Sequence, residues 1–194
     1  MPEKEVNNKK DVPIFIEGKT ISLNATSSEH VDFYLNWLNN SRVRKFARWE
    51  MPVTREDIKK WFEPQEGRIP RHIIFELWHK IDEKPIGEVG LSDIDWVNGW
   101  ANVFLFIGEP KYWGKNIATE ATELIIEYAF NEINLTILQA GASIDNVGSW
   151  SVAEKVGFEY RGIDKSSLYL DGKYNDGKMY RLSKQDWLNS KEKI

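Results

Sequence analysis

Cysteine is absent from the 194-residue sequence, and that absence excludes more chemistry than any other single feature. No disulfide framework, thiolate zinc site, iron–sulfur cluster or cysteine nucleophile can be built. Any acyl or phosphoryl chemistry on such a chain would have to go by direct transfer or through an oxygen or nitrogen nucleophile. Long apolar runs are also missing. The longest, Val103–Ile107, is far short of a membrane span. The opening Met1–Lys10 has no apolar segment of the kind a signal peptide needs, so a cytoplasmic protein is expected, with no membrane partner. Basic charge is not in excess: 26 Lys and Arg stand against 30 Asp and Glu, a net charge of −4. A dedicated nucleic-acid binder would need the opposite balance. Only three histidines occur, His30, His72 and His79, without ligand spacing, so no metal site is expected.

What is present describes an ordinary folded domain. Hydrophobic residues make up 41% and charged residues 29%, values typical of soluble globular chains. At ~150 residues per domain the length fits one domain, here expected over residues 13–187, with polar tails at 1–12 and 188–194. The nine tryptophans are many, and large rings fill cores or line sites.

The hydrophobic pattern predicts a mixed α/β order. Ile14–Ile16 and Thr20–Leu23 read as a strand interrupted by a turn at Gly18. Thr26-Ser27-Ser28-Glu29 reads as a helix start, followed by Val31, Tyr34, Leu35 and Leu38 at helical spacing and closed by Asn39-Asn40. Thr54-Arg55-Glu56-Asp57 opens a second helix, and 64–70 reads as a loop. Strands follow at His72–His79, Ile86–Ile94 and Trp100–Ile107, the last two joined by Asn98-Gly99, which suits a type I′ hairpin. A long amphipathic helix spans Ile117–Asn131, then a strand Leu135–Ser143 and a short helix Val147–Val156 that Gly157 ends as a left-handed cap. A hairpin around Asp171-Gly172 and a strand near Met179–Leu182 complete the order.

The densest chemistry lies in Ile107–Ala121, where a strand runs through a glycine-bearing loop into a strong helix. Free N–H groups and the helix dipole at such an N-terminus suit a phosphate. The alternative is a strand-to-helix turn with no ligand. A Walker A loop is excluded. Five residues separate Gly108 from Gly114 instead of four, and Asn116 stands where Ser or Thr would hold magnesium.

In family order and spacing, IGEVGLSDID (86–95), IGEPKYWGKNIATEA (107–121), EYAFNEINL (127–135), DNVGSWSVAEKVGFEYRG (145–162), DGKYND (171–176) and QDW (185–187) resemble the GNAT-type N-acetyltransferases, specifically the RimJ/RimL-like branch acting on ribosomal-protein N-termini. The second and fourth segments are the specific ones. The resemblance covers nearly the whole chain and implies a GNAT-like α/β fold. Acetyl-CoA would lie in a V-shaped cleft between the splayed parallel strands 100–107 and 135–143. It further implies Leu105, Phe106 and Ile107 along the pantetheine, and Trp113 at the loop. The pyrophosphate would sit on backbone N–H groups of Gly114, Lys115, Asn116, Ile117, Ala118 and Thr119, with Asn146 bonded to the pantetheine arm. The family's second loop glycine is Asn116 here, and Asn is the non-glycine residue most tolerant of left-handed φ. Asn24 replaces an arginine usual in the branch, a change that bears on local packing.

An amine acceptor arrives mostly protonated, so the reaction needs a route for that proton. Glu88, on the strand beside the cofactor strand, stands where relatives place a general base; the alternative is a solvated strand-face charge. Asp93 and Asp95 read as rim charges. Ser149 aligns with the branch's proton donor to the leaving thiolate; the alternative is a hydroxyl that caps its helix. The tyrosine used elsewhere in the superfamily is Ala153 here, which closes that route, and Tyr112 and Tyr128 read as loop and core. Glu120 stands apart from the solvated Glu123 and Glu127 because it adjoins the phosphate turn. Trp49, Trp150, Tyr169 and Tyr174 are candidates for an acceptor pocket. The expected function is acetyl transfer to a protein or peptide N-terminal α-amine. Alternatives are a small cationic amine, such as a polyamine or aminoglycoside, and a catalytically silent CoA-binding module. A homodimer is left open.

Overall fold

The computed structural model describes residues 13–47, 49–63 and 69–192. The expected tail 1–12 and most of the expected 64–70 loop lie outside the described residues. Three strands come from the N-terminal half: β1 (Ile14–Glu17), β2 (Ile21–Ala25) and β3 (Ile73–His79). Between β2 and β3 come three short helices, α1 (Val31–Leu38), α2 (Ser41–Ala47) and α3 (Arg55–Trp61). Ser27 caps a 3₁₀ turn that leads into α1, and Thr54 and Asp57 form a reciprocal capping box on α3, as their spacing predicts. The hydrophobic pattern does not predict α2, which has no acidic residue in its first turn. Its start is marked by Asn40, whose Oδ1 accepts from Arg42 N–H.

The central strands are β4 (Lys84–Asp95), β5 (Trp100–Ile107) and β6 (Ile137–Ser143). Helix α4 (Ile117–Glu127) continues as one π-helical turn to Glu132. Helix α5 (Val147–Lys155) leads into the long hairpin β7 (Glu159–Leu170) and β8 (Lys173–Ser183). Asp171 and Gly172 both have positive φ, the requirement of a type I′ turn. Helix α6 (Lys184–Lys191), capped by Ser183 and anchored by buried Trp187 on Phe130, carries the chain as far as Lys191.

These eight strands form one sheet ordered β1-β2-β3-β4-β5-β6-β8-β7. Among the described residues only β5 and β6 pair in parallel. The β4–β5 turn is not the type I′ turn expected from Asn98-Gly99. Of the two residues only Gly99 has positive φ. The Asp95 carboxyl captures the turn amides, accepting from Val97 N–H and Asn98 N–H, and Gly99 N–H bonds to Asp95 C=O. A four-residue loop thus outcompetes the two-residue one.

Each face of the sheet carries its own core. On one, Ile117, Ala121, Ile125 and Ile126 of α4 pack on Leu23, Leu77, Val89 and Leu138. On the other, Tyr34, Trp37, Leu38, Val43 and Ile58 of α1–α3 form a second cluster that reaches the sheet through Phe106. Trp37 meets Phe106 edge-on at 6.1 Å and covers Gly108, where a Cβ would lie 2.2 Å from its ring. Replacing Gly108→Ala therefore drives a methyl into a packed indole, and destabilisation of about 1–3 kcal/mol is expected from overpacking. An unchanged urea midpoint for this variant would contradict the docking described.

Candidate active site

The site begins where two strands part. β5 and β6 pair at Trp100–Asn102 with Ile137–Gln139, and no further. β5 nevertheless remains paired to β4 as far as Ile107. Which amides are left free follows from register. Gly108 N–H bonds to Ile86 C=O, so Phe106 and Glu88, two residues in, form a hydrogen-bonded pair across β4 and β5. The backbone of Phe106 is therefore spent on β4, while Leu105 and Ile107 face the widening gap. This divides the expected trio: Leu105 and Ile107 offer backbone groups to a ligand, and Phe106 offers its ring.

The gap opens into a cavity of about 460 Å³. Of the residues singled out in the sequence, Leu105, Phe106, Ile107, Trp113, Gly114, Ala118, Asn146 and Ser149 line it. Ala140–Ala142 of β6, within the strand expected to form the other arm of the cleft, floor it. Sequence reasoning missed the wall supplied by α2, with Arg42, Val43 and Phe46; the i, i+3 spacing of Val43 and Phe46 is the signal that could have found it. Lys45 of α2 pairs with Asp171 at 2.6 Å, tying this wall to the tip of the β7–β8 hairpin.

At the helix end of the cavity, Gly114 and Asn116 both adopt left-handed φ, +71° and +61°. Asn116 sits at the N-cap of α4 without capping it through its side chain. Its Oδ1 instead accepts from Lys155 Nζ at 2.9 Å, which holds the side chain toward α5. Ile117 and Thr119 bury their side chains, so only their amides can serve an anion, and Lys115 and Asn116 are exposed at the rim. Trp113 Nε1 donates to Ile107 C=O at 2.9 Å, and the Arg42 guanidinium lies 5.5 Å above its ring. These positive-φ residues, the free amides of α4 and the unpaired edge of β5 fit an extended ligand with a phosphate at one end.

On α5 the cap is Asn146, whose Oδ1 accepts from Ser149 N–H at 3.3 Å. The Ser149 hydroxyl is thus not the helix cap, and it is exposed at the cavity. Trp150 lines the cavity too, with Lys178 Nζ 3.5 Å from its ring centre. The other acceptor-pocket candidates lie elsewhere. Trp49 packs on Trp61, and Tyr169 and Tyr174 face each other on the exposed hairpin. Glu120 is likewise not at the phosphate turn, because its Oε1 accepts from Thr20 N–H and Ile21 N–H and so pins the β1–β2 turn. Asp93 and Asp95 sit at the far end of β4, bonded to Asn102 and to the turn amides.

Glu88 does not line the cavity. It stands beside it, one strand behind β5, half-buried and in register with Phe106 on one side and Glu76 on the other. Burial pushes its carboxyl up to about 7; the Tyr34 hydroxyl pulls the other way, and the Glu76 charge adds to the rise. Glu76, fully buried, was not singled out in the sequence. A lone glutamate in the otherwise apolar run 73–78 is the signal that could have found it.

A sheet split at its parallel strand pair, with an anion-ready helix at the mouth of the split, fits an N-acetyltransferase. The profile of the acetyltransferase (GNAT) domain matches residues 21–159, and the chain belongs to this family. It is 31% identical to YjcK of Bacillus subtilis, named a probable N-acetyltransferase, over 162 residues that cover 82% of this chain and 85% of that protein. YdaF of the same organism, provisionally named a ribosomal N-acetyltransferase, is 33% identical over 54% of this chain and 57% of its own length. The solved structure of spermidine N-acetyltransferase from Vibrio cholerae in complex with CoA and spermine superposes with a TM-score of 0.78 at 20% identity. That match covers 88% of this chain and 99% of the other and speaks to the fold alone.

The left-handed backbone at Asn116 is directly testable. Asn116→Ala places an intolerant residue at φ +61°, so a loss of about 1–2 kcal/mol is expected, whereas Asn116→Gly should stay within a few tenths. Equal denaturation midpoints for the two variants would contradict the assignment.

Proposed function

We propose that the chain transfers an acetyl group from acetyl-CoA to the α-amine of a protein or peptide N-terminus, by direct attack in a ternary complex. Pantetheine pairs with the free edge of β5 at Leu105 and Ile107, and the pyrophosphate rests on amides of the 114–119 turn. Asn146, with its Oδ1 committed to the helix cap, has its side-chain amide left for the arm. The amine gives a proton to Glu88, directly or through a water, and its lone pair attacks the thioester carbonyl. A C–N bond forms and the C–S bond breaks; the Ser149 hydroxyl protonates the thiolate while its oxygen takes up the second proton that the new amide nitrogen sheds, so one proton ends on Glu88 and one on the thiol. A backbone N–H of β5 polarises the carbonyl.

The observation that carries this reading is the Glu88 carboxyl, raised to about 7 by burial, one strand from the cleft. An α-amine titrates near ~7.7–8.0 and a lysine-like amine near ~10.4. A base at about 7 is matched to the former and falls well short of the latter. A second reading, acetylation of a small polyamine, is supported by the spermidine enzyme among the structural neighbours. A polycation is best held by several carboxyls, however, and the charged side chains on the cavity wall are Arg42 and Asp145. This balance favours the peptide.

The sign of the pH dependence follows. Below about 7 the Glu88 carboxyl is protonated and cannot accept, so the rate rises with pH through that value. In a thiol-release assay with N-terminal peptides and spermidine, peptide turnover should exceed polyamine turnover. Glu88→Gln should lower kcat by about 10²–10⁴ and abolish the acidic limb. Turnover of spermidine alone would replace the acceptor assignment. Cofactor binding without thiol release across the panel would replace the enzyme with a silent module.

A further inference from the structure

Behind Glu88 lies a continuous chain of groups that the transfer reaction does not by itself require. The Tyr34 hydroxyl, on a residue 1% exposed, interacts with both Glu88 and Glu76 and donates to Glu76 Oε1 at 3.1 Å. The other oxygen, Glu76 Oε2, meets His30 Nδ1 at 2.7 Å. His30 lies under Phe33 and Trp78 with its side chain 14% exposed, so the chain ends at solvent on the side of the sheet away from α4. Ser27 N–H also donates to Glu76 Oε1 at 3.0 Å. The four relay groups come from two separate stretches of sequence, the 3₁₀ turn and α1 on one side and the neighbouring strands β3 and β4 on the other. Packing two glutamates side by side in a sheet interior is costly unless each is partnered. A fold needing only stability would have placed apolar residues here.

We propose that Tyr34, Glu76 and His30 form a relay that carries the amine proton from Glu88 to solvent. This rests on Glu88 acting as the base. With cofactor and acceptor filling the cleft, the proton on Glu88 has no short way out through the mouth, and the relay supplies one at the back. In the step, Glu88 passes its proton to the Tyr34 oxygen as Tyr34 hands its own to Glu76 Oε1. Glu76, ionised at rest, takes that proton on Oε1, its carboxyl turns over to present it to His30 Nδ1, and the imidazole gives one up to water. One proton enters and one leaves, and Glu88 returns to the ionised form for the next turnover. The groups facing Glu88 are Glu76 from β3, Tyr34 from α1 and the uncharged Phe106 from β5. Burial and the two neighbouring carboxyls hold the Tyr34 phenol far above the usual range, so it passes protons in a concerted shift and is not itself ionised.

A relay and a structural network respond differently to substitution. His30→Gln keeps a donor for Glu76 but passes no proton, and Tyr34→Phe keeps the ring packing on Trp37 and Phe62. Both should lower kcat roughly ten- to hundred-fold with KM for each substrate within about twofold. His30→Ala should be equally slow and regain rate as imidazole is added to the buffer. Tyr34→Phe, whose defect is buried, should not respond to imidazole. Should His30→Gln and Tyr34→Phe turn over at the native kcat while Glu88→Gln is slow, the relay is overturned and the base assignment stands. Should Glu88→Gln keep native kcat, both fall. If the Tyr34→Phe chain does not fold, the His30 variants decide, because that side chain is at the surface end. Failure of imidazole to restore His30→Ala then counts against the relay.

Discussion

Between Asn102 and Ile107, β5 keeps one neighbour and loses the other, and the rest of the site is arranged around that half-satisfied strand. Backbone donors and acceptors inside a sheet need partners, and those on Leu105 and Ile107 have none from β6. The cavity beside them is walled by α2 and α5 and floored by β6. Beyond Gln139, β6 parts from β5 but keeps its other edge on β8, along a run that extends to Ser143 opposite Gly177. The long β7–β8 hairpin thus holds one arm of the split, and β3–β4 hold the other. The acyltransferase character of the fold resides in this geometry, with Asn116 and Gly114 bending the chain so that α4 presents its N-terminus at the mouth.

The second constraint is polar. The sheet face under α1–α3 carries Ser22, Asn24, Glu76 and Glu88 in adjacent strands, the first three fully buried. Packing of Trp37 on Phe106 and Gly108 seals this layer against the cleft wall. The same burial that lifts the Glu88 carboxyl makes it useful at neutral pH, so the stability of α1–α3 on the sheet and the acid–base chemistry proposed for it are coupled. Asn24 accepts through Oδ1 from the Ser22 hydroxyl and lies in register with Glu76, so it belongs to the polar layer behind the site.

Local signals were legible where one residue decided the backbone. Asn116 had to accept a left-handed φ and does; Thr54 and Asp57 had the spacing of a capping box and form one. The splayed strand pair followed from the resemblance and is present. Legibility failed where a side chain competed with its neighbours for the backbone. Asp95 captured the turn that Asn98-Gly99 would have closed, and Glu120 reached across to β2 and left the phosphate turn. It failed also for α2, whose periodic signal is a single i, i+3 pair, Val43 and Phe46, and for the polar layer, because strand pairing sets Glu76 beside Glu88 and local sequence does not encode pairing. Single-residue chemistry was readable; which residues meet across the sheet was not.

The central claim is that acetyl-CoA lies along the free edge of β5 with its pyrophosphate on the start of α4. Amide hydrogen exchange with and without acetyl-CoA tests it in one experiment. The account predicts slowed exchange at Leu105, Ile107 and the amides of 114–119, with little change in the β1–β2 hairpin. Unchanged exchange at these amides under saturating acetyl-CoA, or protection confined to other elements, would contradict it.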